Sequence, residues 1–331
     1  MNEKTLTLLV ENESGLGPVF EVDPARYREA AARHPDVASR VRAVFSTDRD
    51  RFAQTIGEAD ALVGWVFPHR ELDRLAPQLR WVHLTGAGVN HLAPFDWGPP
   101  GLVVTNNRGV HAPKAAEFAA AAALMIVNKL PRLVSRQWDR HWELDYSETI
   151  GGKTAGIVGV GNMGAAVAGA CRTLGMRVLG MRRSGAPRPE VDHMFGPEEL
   201  DVLLAQSDVV FLCTPLTDET RSLMDSARFA RMKPGSGIVN LARGAVVDND
   251  ALRAALASGQ VSGAILDVFD PEPLPADSPL WTTPNLIVTP HCSSDDAQSY
   301  VPRTLDLIFD NLRRLMTGQT LRGIVDPRLG Y

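Results

Sequence analysis

Ala155-Gly156-Ile157-Val158-Gly159-Val160-Gly161-Asn162-Met163-Gly164 joins an apolar run to a helical pattern through the spacing G-x-G-x-x-G. Glycine-rich turns are common, and the spacing gains meaning only with a buried strand before it and a helix after it. Both are predicted: Lys153 to Gly159 reads as the strand and Met163 to Leu174 as the helix. In that setting Gly159 permits the tight turn and Gly161 lets backbone approach a pyrophosphate. Gly164 allows the helix to pack closely on the strand, and the helix N-terminus adds N–H donors for the anion. The run predicts a parallel α/β sheet with a dinucleotide-binding turn.

The alternation of short β-branched runs with helical patterns extends both ways from this turn, as in successive βαβ units. Before it, strands are expected at Leu6–Val10, Val41–Phe45, Ala61–Trp65, Trp81–Leu84 and Val103–Thr105. An alanine-rich helix follows from Pro113 to about Leu130, with Pro131 marking its end. After the turn come strands at Arg177–Met181, Val209–Cys213, Gly237–Leu241, Gly263–Val268 and Leu286–Val288, then a helix from about Ala297 to Met316. Two strand series, one linking helix and one final helix suggest a split arrangement. The expectation is two Rossmann-like, doubly wound parallel-sheet domains with an active-site cleft between them. Residues 1–105 plus 292–331 form the substrate domain, and 106–291 form the NAD(P)-binding domain with its linking helix.

Composition narrows the function. The 331 residues include 34 basic and 39 acidic side chains, a formal net charge of −5, with 44% hydrophobic and 22% charged residues. Such a chain has length for two domains and is neither disordered nor fibrous. Its mild acidity argues against a nucleic-acid partner, which needs a basic face. Three scattered cysteines, Cys171, Cys213 and Cys292, fit neither a disulfide framework nor a metal site, so none is expected and the compartment reads as reducing. Met1 to Glu13 lacks the long apolar core of a signal peptide. Phe118 to Val127 is too short to span a bilayer. A cytoplasmic protein without a membrane partner is expected.

The second strand of the nucleotide unit selects the cofactor. An Asp or Glu at that strand's end usually reads a free ribose hydroxyl, but Val178-Leu179-Gly180-Met181-Arg182-Arg183-Ser184 has no acid. Two guanidiniums and a hydroxyl suit a 2′-phosphate instead. NADPH is expected, with NAD as second choice.

Three more segments end predicted strands: Val239-Asn240-Leu241-Ala242-Arg243-Gly244, Leu266-Asp267-Val268-Phe269-Asp270-Pro271-Glu272-Pro273 and Val288-Thr289-Pro290-His291. Ligands of open α/β sheets bind outside the carboxyl ends of the strands. There an Arg can clamp a carboxylate at two points, and a His can exchange a proton with a carbonyl or hydroxyl. A Glu beside the His holds its orientation and favours its charged, acid form.

With these segments in this order, the chain resembles the D-isomer-specific 2-hydroxyacid dehydrogenase family, in its glyoxylate/hydroxypyruvate reductase-like branch. Leu79-Arg80-Trp81-Val82-His83-Leu84-Thr85-Gly86-Ala87-Gly88-Val89-Asn90, Asn106-Asn107-Arg108-Gly109-Val110 and Glu117 extend the likeness into the first lobe. The resemblance implies reduction of a 2-keto acid to the D-2-hydroxy acid. It implies that Arg243 grips the carboxylate and carbonyl oxygen, that His291 is the general acid or base, and that Glu272 is its partner. It further implies that Asp267 meets the nicotinamide carboxamide and that amides near Ala87 and Gly88 complete the carboxylate site. Cofactor contacts are expected at Gly159, Gly161, Asn162, Met163, Gly164, Arg182, Arg183, Ser184, Cys213, Pro215, Thr220, Leu241, Ala242 and Asp267. Closure of the two lobes about the helices near Pro113 and Ala297 is expected to exclude water. A departure is Asn90-His91, where many members carry Asp.

Other readings stay in view. Formate dehydrogenases share the scaffold but carry glutamine where Glu272 stands, and nucleotide-sensing corepressors keep the fold without turnover. Cys292 beside His291 tempts a nucleophile reading, against the usual use of Cys as a small buried hydrophobe. His34, His69, His141 and His193 read as surface or turn residues; His83, His91 and His111 suit either the substrate loop or packing. Trp138 and Trp142, four apart, suit packing on a helix face. The resemblance offers them another use, because related reductases exchange this segment across a homodimer.

Overall fold

The computed structural model describes residues 5–12, 17 and 19–326, without the Asn90 side chain. Part of the N-terminal stretch weighed as a leader, residues 1–4 and 13, lies outside these, as do residues 327–331 of the tail. Chain contacts divide the protein into residues 1–111 with 296–331, and 112–295. These boundaries fall a few residues after the expected 105 and 291, because Asn106 and Asn107 bond to Ala87 and Thr85 of the first unit, and Cys292 and Ser293 bond to Asp267 of the second.

In the first unit, β1 (Leu6–Glu11), β2 (Val41–Ser46), β3 (Ala61–Gly64), β4 (Trp81–Leu84) and β5 (Val103–Asn106) form a parallel sheet ordered β2-β1-β3-β4-β5. β1, β3 and β4 are apolar runs buried along nearly their whole length, as parallel strands covered on both faces must be. The last helix, Tyr300–Thr317, returns to this unit and packs Val301, Leu305, Ile308, Phe309 and Leu312 with Leu8, Val10 and Val63. It begins at Tyr300 rather than Ala297. The Asp296 carboxylate accepts the Gln298 and Ser299 N–H groups, a local turn that competes with helix.

In the second unit, β6 (Thr154–Val158), β7 (Arg177–Met181), β8 (His193–Phe195), β9 (Val209–Leu212), β10 (Ser236–Asn240), β11 (Val261–Leu266) and β12 (Leu286–Val288) form an all-parallel sheet. The order β12-β11-β10-β9-β6-β7-β8 reverses direction between β6 and β9, the switch point at which such sheets hold their ligands. β8 is an edge strand of three residues that the sequence reading missed. Helix Ala112–Val127 buries Ala115, Ala119, Ala122, Ala123 and Ile126. Its small side chains share a core with Ala165 and Ala168 of helix Asn162–Thr173.

Pro131 does not end the alanine-rich helix. The break is earlier, at Lys129 in the left-handed region (φ 58°), and Pro131 lies in the first turn of a second helix, Leu130–Trp138. The two helices are bent by 66°. Among the described residues no single helix is long and apolar enough to cross a membrane.

Candidate active site

The glycine turn has the geometry its spacing predicts. Gly159 has φ +100°, and a side chain there would meet the Thr214 amide nitrogen at 2.7 Å, where β6 and β9 diverge. A methyl on Gly164 would lie 2.2 Å from the Gly159 carbonyl oxygen, whereas Gly161 faces open space. Close helix packing and an uncovered helix N-terminus with Gly161 as its cap make a cradle that fits a pyrophosphate.

Arg243, Glu272 and His291 come together after β10, β11 and β12. Buried Asn240 shapes the first turn: its Oδ1 accepts the Ala242 N–H at 3.0 Å and its Nδ2 donates to the Arg243 carbonyl at 3.1 Å. A side chain on Gly244 would lie 2.0 Å from the Phe269 carbonyl carbon. Only glycine allows the post-β10 turn so close to the loop carrying Glu272. Burial lowers the Arg243 pKa while the Glu272 charge opposes the shift, so the two groups are within electrostatic range. His291 Nδ1 lies 2.7 Å from Glu272 Oε2, and Glu272 Oε1 accepts the Phe269 N–H at 2.8 Å. With Nδ1 directed at the carboxylate, Nε2 is the nitrogen left for a reacting group.

Residues 120–293 match the D-isomer specific 2-hydroxyacid dehydrogenase, NAD binding domain. The chain belongs to the D-isomer specific 2-hydroxyacid dehydrogenase family. It is similar to a glyoxylate reductase of Thermofilum pendens, 30% identical over 292 residues that cover 85% of each chain. A glyoxylate/hydroxypyruvate reductase B of Pectobacterium carotovorum is 32% identical over 77% of this chain and 81% of its own. Among solved structures, a D-isomer specific 2-hydroxyacid dehydrogenase from Xanthobacter autotrophicus, in complex with NADPH and MES, superposes with a TM-score of 0.83. It is 32% identical and matches over 98% of this chain and 99% of that one. The protein is thus an NAD(P)-dependent 2-hydroxyacid dehydrogenase of the glyoxylate/hydroxypyruvate reductase-like branch.

Within this dehydrogenase Asp267 has a bracing role. It is buried, and its carboxylate accepts Thr289 Oγ1 at 2.6 Å, the Cys292 N–H at 3.0 Å, the Ser293 N–H at 3.1 Å and Ser293 Oγ at 2.5 Å. Its backbone carbonyl accepts the His291 N–H at 2.8 Å. These bonds hold His291 in the left-handed region, at φ +50°, where a non-glycine residue needs support. Thr289 is legible in the sequence only as part of the segment leading to His291, and Ser293 is not singled out there, since nothing in their spacing marks a bond to Asp267.

Around the cradle, Leu241 and Ala242 are buried, Pro215 is exposed, and the Thr220 hydroxyl caps its own loop by donating to the Pro215 carbonyl at 2.7 Å. Asn162 and Met163 open the cradle's helix. Cys213, expected to end β9, lies one residue past it, with its thiol pushed up to about 12 by burial, and Cys171 behaves alike. Burial and the Asp267 charge also raise Cys292, which speaks against a thiolate nucleophile.

Past β7, Arg182 is half-buried while Arg183 and Ser184 are exposed. Among the described residues the Arg182 guanidinium has no side-chain partner. The nearest following acids are already engaged: Asp192 accepts the Val178 N–H at 2.7 Å and pairs with Arg172, and Glu190 lies 3.4 Å from Arg188.

In the first unit, Ala87 and Gly88 lie in the loop after β4. His91 braces this loop: its Nε2 is 2.9 Å from the Trp65 carbonyl oxygen and its ring centroid 4.2 Å from that of Trp65. His83 is fully buried and His34 pairs with Asp306 at 2.9 Å, so both serve packing. Trp138 and Trp142 do not share a helix face. The helix ends at Trp138, Arg140 turns the chain at φ 53°, and the two indoles are 81% and 93% exposed.

Proposed function

We propose that this dehydrogenase reduces small 2-keto acids such as glyoxylate or hydroxypyruvate to D-2-hydroxy acids, with NADPH preferred over NADH. The carrying observation is the His291–Glu272 pair beside Arg243, at the carboxyl ends of adjacent strands in the nucleotide-binding unit. Arg243 fixes the substrate carboxylate and the developing oxyanion, with further donors from the Ala87 and Gly88 amides. Glu272 holds the imidazolium of His291, which gives its Nε2 proton to the carbonyl oxygen and becomes neutral. Reduced nicotinamide, when bound, supplies the hydride to the keto carbon. Gly159, Gly161, Asn162, Met163 and Gly164 hold its pyrophosphate; Arg182, Arg183 and Ser184 hold the 2′-phosphate. Cys213, Pro215, Thr220, Leu241, Ala242 and Asp267 line the remainder.

The Arg182 guanidinium, which has no side-chain partner among the described residues, supports the NADPH preference, as does the NADPH bound by the Xanthobacter relative. Free thiols at all three cysteines suit the cytoplasm. We also infer a homodimer. Trp138, Trp142, Leu144 and Tyr146 are largely exposed, and Asp145 ties their segment to Lys129 and Arg132. A second copy covering these side chains would remove them from water, and sedimentation reads the resulting mass. The functional reading is tested by following NADPH oxidation with glyoxylate, hydroxypyruvate, pyruvate, phenylpyruvate and branched 2-keto acids. Turnover of the small acids supports it, and binding of NADPH without any turnover overturns it.

A further inference from the structure

Three consecutive carbonyls after β4 are held from one side. The Thr85 carbonyl accepts Asn107 Nδ2 at 2.8 Å and also the Tyr300 hydroxyl. The Gly86 carbonyl accepts the Asn107 N–H at 3.0 Å, and the Ala87 carbonyl accepts Asn106 Nδ2 at 2.7 Å. A trans peptide is planar, so its N–H points opposite its C=O. Fixing the Gly86 and Ala87 carbonyls toward β5 therefore turns the Ala87 and Gly88 N–H groups away from β5. Among the described residues neither N–H has a hydrogen-bond acceptor.

The two asparagines are themselves fixed. Both are buried, Asn106 at 1% and Asn107 at 0% exposure. Asn107 Nδ2 also donates to Thr304 Oγ1 at 2.7 Å, and Asn106 Oδ1 accepts the Arg108 N–H at 3.3 Å. The Asn106 N–H donates to the Gly323 carbonyl at 2.9 Å. The last helix, through Tyr300 and Thr304, thus meets the loop through the same carbonyl and the same asparagine. Two buried side chains and one hydroxyl thus act on the loop together, and several bonds must break before any one of the three carbonyls can turn.

We propose that Asn106, Asn107 and Tyr300 are positioning residues that aim the Ala87 and Gly88 amides at the substrate carboxylate. This deepens the reading of Ala87 and Gly88 given above and rests on it. None of the three needs to touch substrate; each acts through a carbonyl of the loop.

The test compares Asn106→Asp, which removes the donor to the Ala87 carbonyl, with Tyr300→Phe, which removes one hydroxyl and adds no charge. Exchange of the Asn107 N–H, which donates to the Gly86 carbonyl, should quicken about tenfold in either variant, while β1 and β3 exchange as in the parent. A hydrogen bond contributes about 1 kcal/mol, so KM for glyoxylate should rise about 3- to 10-fold. KM for NADPH should stay within about twofold. If Asn106→Asp fails to fold, Tyr300→Phe carries the test. Unchanged exchange at Asn107, a uniform rise across the first sheet, or an equal rise in both KM values overturns the proposal. A parent that reduces no 2-keto acid overturns the carboxylate reading instead, and the exchange result still judges whether these residues hold the loop.

Discussion

In the proposed reaction Arg243 serves both ends of the reacting group, so its planar fork matters more than its charge. Held by its contact with the Ala242 carbonyl at 2.7 Å and by the shaped turn after β10, it presents donors in fixed directions. A lysine supplies one point charge on a flexible stem. Arg243→Lys should raise KM for the keto acid and lower kcat together, by about tenfold or more overall, as expected for losing a charge-assisted bond. Steady-state kinetics at saturating NADPH check this, and a change confined to NADPH affinity would move Arg243 into the cofactor site. His83 makes a prediction of another kind. Complete burial pushes its imidazole down to about 4, opposed by its bond with Asn107. Above pH 6.5 the group is neutral in both folded and unfolded chains and has no effect. As pH falls from about 6.5 to about 4, the unfolded chain takes a proton that the folded one refuses, so stability is lost across that window, to a limit of roughly 3 kcal/mol. Urea denaturation at about pH 7 and about pH 5 should show the parent losing about 2 kcal/mol more than His83→Gln. Equal losses would mean that His83 protonates in place.

At the scale of elements, the proposed NADPH preference rests on the turn after β7. Among the described residues the Arg182 guanidinium has no partner to give up, so it is available to a phosphate, a contact of about 1.5–3 kcal/mol before solvent screening. Arg182→Asp should cut kcat/KM for NADPH at least tenfold and improve NADH relative to it, measured at one ionic strength. Equal values for both cofactors in the parent would leave Arg182 and Arg183 as a solvated turn. The sequence showed this turn, the glycine cradle and the strand-end residues Arg243, Glu272 and His291 because each depends on neighbours within a few positions. It hid what depends on distant partners. β8 is too short to carry a period, and it becomes a strand only by pairing with β7. Pro131 looks like a terminator because proline often is one; the left-handed Lys129 two residues earlier is what breaks the helix. Trp138 and Trp142 have helical spacing, yet Asp145 draws the segment after Trp138 onto Lys129 and Arg132. The bracing of His291 by Asp267 and of the Ala87 loop by Asn106, Asn107 and Tyr300 needs side chains brought together by sheet order.

For the whole molecule, the division of labour follows the chain. One unit carries the glycine cradle, the arginine turn after β7 and the Arg243–Glu272–His291 group on a seven-stranded sheet. The other carries the Ala87 loop on a five-stranded sheet closed by the returning helix. Everything in the proposed reaction depends on one proton leaving His291 Nε2 as hydride reaches the keto carbon. The direct test is the rate of NADPH oxidation by glyoxylate, parent against His291→Ala, with NADPH binding followed separately by fluorescence. The parent should turn over, and the variant should bind NADPH equally well while losing kcat by about 10²–10⁴-fold, the usual contribution of a general acid. A variant with near-parent turnover would contradict the account.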